Sequence, residues 1–358
     1  MPLFDDVIPT SFKKILLIKL RHHGDMLLTT PVINTLHLHY PDAEIDIVLY
    51  KETEAILRYH PALTQIHAID RSWKKQGVLH QIKQETALIR TLRARHYDLV
   101  VNLADQWRSA FITYLTRAAV RIGFDFPKRR SLVWRLAHNR LVSTENHAQL
   151  HTVEQNLSIL SPLNIAITDR STSMHYSPAD EINRQTLLAS KGITGDYLVI
   201  QPTSRWVYKC WDDEKVALLC DALNEKHIPI VLTAAPDKQE REMIGHILSL
   251  CRNSNVVSLA GELSLTQLAA VIDHARLFIG VDSAPMHMAA ALNTPCVALF
   301  GPTKLNFWRP WGQNCTLIWA GDFAELPAPD AIDTRTEQRY LSAIPVDAVL
   351  HAAENYLS

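Results

Sequence analysis

The sequence predicts an α/β protein of GT-B architecture: two Rossmann-like domains in tandem, with parallel sheets facing a central cleft. Three observations carry this. Short runs rich in leucine and β-branched residues alternate with longer helical stretches, which is the pattern of βαβ units. Strand candidates such as 98-DLVVNL are apolar without alternation, as strands covered on both faces are. The 358 residues also exceed what one hydrophobic core comfortably fills.

Taken in order, strands are expected at 14–19, 44–50, 66–69 and 98–103, with a short one near 120–123. Helices are expected between them at 31–40, 52–59, 80–95 and 107–118. A helix at 151–161 leads into 162–178, which is polar, punctuated by proline and without helical period, so the domain boundary is placed there. The pattern then restarts, with strands at 197–202, 229–234, 256–259, 277–281 and 296–300. Helices accompany them at 179–191, 212–226, 237–250, 264–274 and 285–292. The expected domains are 1–165 and 179–344, and 345–358 forms a terminal helix with the option of packing back on the first domain.

Composition removes several function classes. Apolar residues make up 47% and the net charge is −1, so the chain is not a nucleic-acid-coating protein. Charge is nevertheless uneven. Residues 71–96 carry seven Lys or Arg against Glu85 alone, and residues 117–140 carry seven against Asp125 alone. The five cysteines form no C-x-x-C pair, which fits a reduced, cytoplasmic chain. The start, 1-MPLFDDVIPTSFKK, has acids where an export signal needs a basic start and an apolar block. Apolar runs fall short of the ~20 residues of a membrane span, so any work at a membrane is done from its surface.

Glycine spacing excludes more. No two of the eleven glycines are separated by a single residue, so there is no G-x-G-x-x-G fingerprint, and no Walker A loop is present. An Asp-x-Asp pair for a divalent ion is also missing. A two-domain α/β chain lacking all three leaves metal-independent nucleotide-sugar glycosyltransferases prominent.

Two places concentrate polar chemistry. In 19-KLRHHGDMLLTTP-31, directly after the first strand, His22, His23, Gly24 and Asp25 admit three readings: an ordinary strand-to-helix turn, a metal site, or an active-site corner. Adjacent histidines point apart on an extended segment, which weighs against the metal. In 277-LFIGVDSAPMHMAAALNTPCVALFGPT-303, Asp282 or Ser283 reads as the N-cap and Pro285 as the first turn of a helix. Such an end is an anion site, which His287 can reach. The segment 197-YLVIQPTSRWVYKCWDDE-214 adds Thr203, Ser204 and Lys209 at another strand end, a set suited to a pyrophosphate. Ordinary capping and a solvated lysine remain the plainer alternatives for each piece.

These residues carry a resemblance. Asp282-Ser283-Ala284-Pro285-Met286-His287 before an alanine-rich helix, then Phe300-Gly301-Pro302-Thr303, resembles the donor-binding signature of the ADP-heptose:lipopolysaccharide heptosyltransferases, glycosyltransferase family 9. Ala284 is an accepted variant there. The Thr203-Ser204…Lys209…Trp211 stretch resembles the family's phosphate loop, here one residue longer, and Gly24-Asp25 its N-terminal motif. The similarity runs from Lys14 to about Leu350. Residues 23–28, 102–107 and 307–311 look most like the type III members, which add a branch heptose to the second heptose of the inner core.

The resemblance implies an inverting transfer of L-glycero-D-manno-heptose from its ADP derivative, with no metal and no cofactor beyond the donor. It makes Asp25 the general base, with Gly24 giving a sharp turn and close backbone approach, and His22 and His23 shaping the acceptor pocket. Thr203, Ser204, Lys209 and the start at Ser283, Ala284 and His287 hold the diphosphate. Asp282 orients the loop or meets the donor sugar, and Asp237 lies near where the family places an acid on the ribose. The acceptor is a phosphorylated glycolipid of the lipopolysaccharide inner core, at the cytoplasmic face of an anionic inner membrane. Lys128, Arg129 and Arg130 suit that acceptor, and 127–140, with Leu132 and Trp134 interleaved, suits acceptor or membrane. A solvated basic helix remains the plainer reading of 80–96. Trp107, Trp211, Trp308 and Trp311 are expected to pack. Competing readings are a type I or II step, another nucleotide-sugar donor, an epimerase, or a non-catalytic sugar-nucleotide binder.

Overall fold

The computed structural model describes residues 8–253 and 255–357. Of the N-terminal stretch read as unlike an export signal, residues 1–7 lie outside them. The chain divides into two compact units, one ending at Ser171 and the next beginning at Thr172, inside the polar 162–178 segment.

In the first unit, β1 (Lys14–Ile18), β2 (Glu44–Tyr50), β3 (Gln65–Ile69), β4 (Leu99–Asn102), β5 (Val120–Asp125) and β6 (Arg140–Ser143) form one sheet, ordered β3-β2-β1-β4-β5-β6. In the second, β7 (Leu198–Gln201), β8 (Ile230–Leu232), β9 (Val256–Ser258), β10 (Leu277–Val281), β11 (Cys296–Phe300) and β12 (Cys315–Trp319) are ordered β12-β11-β10-β7-β8-β9. Every neighbouring pair is parallel. Counted from each unit's first strand, the two orders are the same. The order reverses where β1 meets β4 and where β7 meets β10. At such a switch point the loops leaving adjacent strands diverge and open a crevice at the carboxyl edge.

The central strands are buried from Ile15 to Ile18 in β1 and from Leu277 to Val281 in β10, as their unbroken apolar sequence requires. Two strands were not legible in the sequence, β6 and β12, and both are sheet edges. Val142 in the one and Ile318 in the other are the only buried residues, so no apolar run marks them. The helix expected at 52–59 is a 3₁₀ turn, Lys51–Thr53, followed by the short helix Glu54–Leu57.

The terminal helix Val346–Leu357 packs within the second unit: Val349, Ala352, Ala353 and Leu357 join Leu219, Leu223, Val281 and Val297 in its core. Their spacing of i, i+3, i+4 and i+8 makes one stripe, and that stripe fills this sheet's face. Trp211 Nε1 donates to the Ile344 carbonyl at 3.2 Å, tying down the approach to the helix, so this tryptophan packs as expected.

One buried group gives the first unit a pH dependence. Gly123 in β5 has no side chain because a Cβ there would lie 2.4 Å from the His138 ring. His138 Nδ1–H donates to the Trp134 carbonyl and Nε2 accepts from Asn102 Nδ2, both at 2.9 Å, a neutral imidazole. Burial pushes its pKa down to about 4. An unfolded histidine, near 6.5, then binds its proton first, so stability is complete above about pH 6.5 and falls between about 6.5 and 4. A loss of about 3 kcal/mol over that window is expected from urea unfolding at a series of pH values. The His138→Gln variant should show a flatter profile; an unchanged slope would assign the acid lability elsewhere.

Candidate active site

In the second unit the site is built on the switch between β7 and β10. Gly280 is in register with Gln201, so the loops after these strands leave side by side. From the first loop comes Lys209, at the end of a 3₁₀ turn Val207–Lys209. From the second comes Asp282. Their side chains meet, Lys209 Nζ to Asp282 Oδ2 at 2.7 Å, and are 12% and 7% exposed. Lys209 Nζ also sits 5.1 Å from the centre of the Trp206 ring.

The helix Ala284–Ala291 starts immediately beyond Asp282. Ser283 is its N-cap, in extended conformation, and Pro285 lies in the first turn, as the sequence suggests. The Ser283 hydroxyl does not cap: it accepts nothing from the first turn, and its Oγ is buried with no hydrogen-bond partner among the described residues. A buried hydroxyl without a partner at a positive helix end, next in sequence to the carboxylate that holds Lys209, suits an anionic ligand. His287 is buried in the first turn, and Ala284 opens it.

Two residues of this edge are engaged differently from expectation. The Thr203 hydroxyl is fully buried and donates to Glu240 Oε2 at 2.7 Å, so it anchors the loop to the neighbouring helix. Asp237 caps that helix, Lys238–Leu250, accepting from the Gln239 and Glu240 N–H groups at 2.9 and 3.4 Å, while its residue stays exposed. Glu240 is the buried carboxylate here and was not singled out from sequence. Only the tertiary fold distinguishes it from other first-turn acids. Ser204 is buried beside Cys210, its N–H directed at Cys210 Sγ at 3.2 Å.

In the first unit the matching edge lies between β1 and β4. Asp25 is the third residue of a short helix, His23–Leu27, and is half-buried. Its carboxylate accepts from the His22 N–H at 3.4 Å, a capping interaction, so the turn reading of this stretch is part of the answer. Gly24 is helical and is not among the glycines with positive φ, so the sharp turn expected of it is made by the helix start instead. His23 Nε2 engages the Glu52 carbonyl at 2.8 Å, and burial pushes its pKa down; His22 is exposed.

Lys19, immediately after β1 and within the field of Asp25, is buried, with Nζ donating to Asn156 Oδ1 at 3.0 Å. Burial pushes the ammonium down, and the charge of Asp25 opposes this. Asp105, in the loop after β4, gathers the cations of this edge: Arg21 Nη2 at 2.9 Å and Lys128 Nζ at 2.5 Å. Burial pushes the Asp105 carboxyl up, but Lys128 and Arg21 outweigh it and hold it below the usual range. Arg129 Nε donates to the Asp105 carbonyl at 2.6 Å and its guanidinium stacks on Trp107, whereas Arg130 pairs with Asp125. The basic block therefore does reach the Asp25 edge, through Asp105. Lys19, Arg21 and Asp105 lie in quoted motifs but were not singled out, because the Lys19–Asn156 and Arg21–Asp105 contacts span 137 and 84 positions.

Comparison with known proteins decides the family. Residues 85–338 match the model of glycosyltransferase family 9 (heptosyltransferase). The chain belongs to glycosyltransferase family 9. Among family 9 relatives, it is 43% identical over 338 residues to lipopolysaccharide heptosyltransferase 3 of Escherichia coli, covering 94% of this chain and 97% of that one. Its fold is that of solved family 9 structures. The Veillonella parvula member superposes with a TM-score of 0.83 at 20% identity, over 98% of this chain and 99% of that one. E. coli heptosyltransferase WaaC with ADP gives 0.76 at 23%, over 96% and 99%. Each unit of this family 9 chain thus gathers charged side chains at its switch-point edge, Lys209 with Asp282 in the second and Asp25 near Asp105 and its cations in the first.

Proposed function

We propose that this family 9 enzyme is an inverting, metal-independent heptosyltransferase. It moves L-glycero-D-manno-heptose from its ADP derivative to a heptose of the lipopolysaccharide inner core, as the branch-adding type does. The Lys209–Asp282 pair at a helix start with an orphan Ser283 hydroxyl carries the reading, in a chain 43% identical to E. coli lipopolysaccharide heptosyltransferase 3. The acceptor hydroxyl oxygen attacks the anomeric carbon and gives its proton to Asp25. The bond from that carbon to the β-phosphate oxygen breaks, and ADP leaves with the electron pair. Lys209, Ser283 and the first-turn N–H groups stabilise the charge growing on it. Asp282 holds Lys209 until the diphosphate arrives and then meets the sugar. Lys128, Arg129 and Arg130 take the acceptor's anionic groups, and the enzyme works peripherally at the cytoplasmic face of the inner membrane.

The test is a donor screen with ADP-heptose, other nucleotide sugars and inner-core acceptors truncated to one or two heptoses. ADP release with the diheptosyl acceptor, and an inverted anomeric linkage by NMR, are expected. Transfer only to the monoheptosyl acceptor would assign an earlier step; a preferred UDP or GDP sugar would replace the donor. Activity is expected to survive EDTA, and a loss restored by magnesium would overturn metal-free chemistry.

A further inference from the structure

The helices Trp107–Thr116 and Leu132–Ala137 lie side by side in the first unit. Trp134, which the sequence places among basic residues, is the buried hinge of the pair: it is 1% exposed, packs edge-on against Trp107 at 6.0 Å and donates to the Phe124 carbonyl at 2.9 Å. With Trp134 turned inward, the outward side is left to other residues. Leu132 is 73% exposed, Phe111 57%, Leu136 56% and Tyr114 53%. Val133 joins them, and Phe111, Tyr114, Val133 and Leu136 line one shallow groove. Water-facing leucine and phenylalanine gathered on one face, and not scattered, mark an interaction surface.

The rim of this face is cationic. Of the eight arginines and lysines in residues 106–140, Arg108, Lys128 and Arg130 are paired with Glu85, Asp105 and Asp125. Arg117 and Arg135 are exposed and have no ion pair among the described residues. Arg117 and Arg121 border a second groove beside Tyr114 and Leu115. A second copy of the chain docking here by twofold symmetry would oppose arginine to arginine. An apolar centre with a basic rim instead matches the phosphate-over-acyl layering of an anionic bilayer.

We propose that this face, Phe111, Tyr114, Leu132, Val133 and Leu136 rimmed by Arg117 and Arg135, is the surface by which the enzyme docks on an anionic lipid bilayer. The side chains of the centre enter the headgroup boundary, and the arginines pair with lipid phosphates. It rests on the peripheral placement proposed above and names the surface that produces it.

Sedimentation of the full chain with vesicles free of lipopolysaccharide tests it. Binding to phosphatidylglycerol vesicles, absent with phosphatidylcholine and weakened by salt, is expected. Arg117→Gln and Arg135→Gln should each weaken it about fivefold. The pair Leu132→Ser and Leu136→Ser should weaken it at least tenfold, while transfer to a deacylated, water-soluble acceptor stays at the wild-type rate. Failure of the wild-type chain to bind anionic vesicles, binding indifferent to these substitutions, or a dimer in ultracentrifugation that the leucine variants dissolve would each overturn the docking surface. Transfer to the soluble acceptor would leave the heptosyltransferase reading standing in all three cases.

Discussion

Replacing Asp25 with asparagine is expected to lower turnover by about 10²- to 10⁴-fold, the usual contribution of a general base. ADP affinity should stay near wild type, because the residues proposed to hold the donor belong to the other unit. Asparagine keeps an oxygen that can accept from the His22 N–H, now at 3.4 Å from the carboxylate, so the short helix is preserved and only proton acceptance is removed. Measured by ADP release and by calorimetry with ADP, the two quantities should separate. Turnover within tenfold of wild type would sink Asp25 as the base. A parallel fall in ADP affinity would mean that the substitution had damaged the fold.

Lys209→Ala should act on both quantities at once. The lysine's bonds to a diphosphate are charge-assisted, worth about 1.5–3 kcal/mol, so ADP affinity should fall about 10- to 100-fold. Turnover should fall further, since charge on the leaving group is greatest in the transition state. There is also a structural cost. Asp282 is 7% exposed and loses its counter-charge, which destabilises by about 3 kcal/mol in such buried pairs. Adding Asp282→Asn should recover much of that stability without restoring ADP affinity. Unchanged ADP affinity in Lys209→Ala would refute its phosphate role, and recovery of affinity by the double variant would mean that the loss had been conformational.

Features settled by neighbouring residues were legible in the sequence. An N-cap at Asp282 or Ser283, Pro285 in the first turn and the central strands β1, β4, β7 and β10 depend on residues within a few positions of one another. Edge strands were not legible, since half-exposed β6 and β12 have no apolar run to betray them. Asp237 and Glu240 show how two acids of one helix start can be used differently. Both occupy first-turn positions, but Asp237 spends its carboxylate on the cap in an exposed position, and Glu240 is drawn under the loop by Thr203.

By itself the sequence determined the class of fold, the exclusion of dinucleotide and P-loop chemistry, and the two motifs on which catalysis is staked. Those follow from periodicity, glycine spacing and local capping, all short-range. The tertiary structure decided what the motifs touch. Lys209 finds Asp282 across 73 residues, and Asp105 collects Arg21 and Lys128 onto the edge that carries Asp25. It also turned Trp134 inward and left Leu132 and Leu136 in water. Such pairings arise only when a parallel sheet brings distant strand ends to one edge, and no spacing within the chain records that.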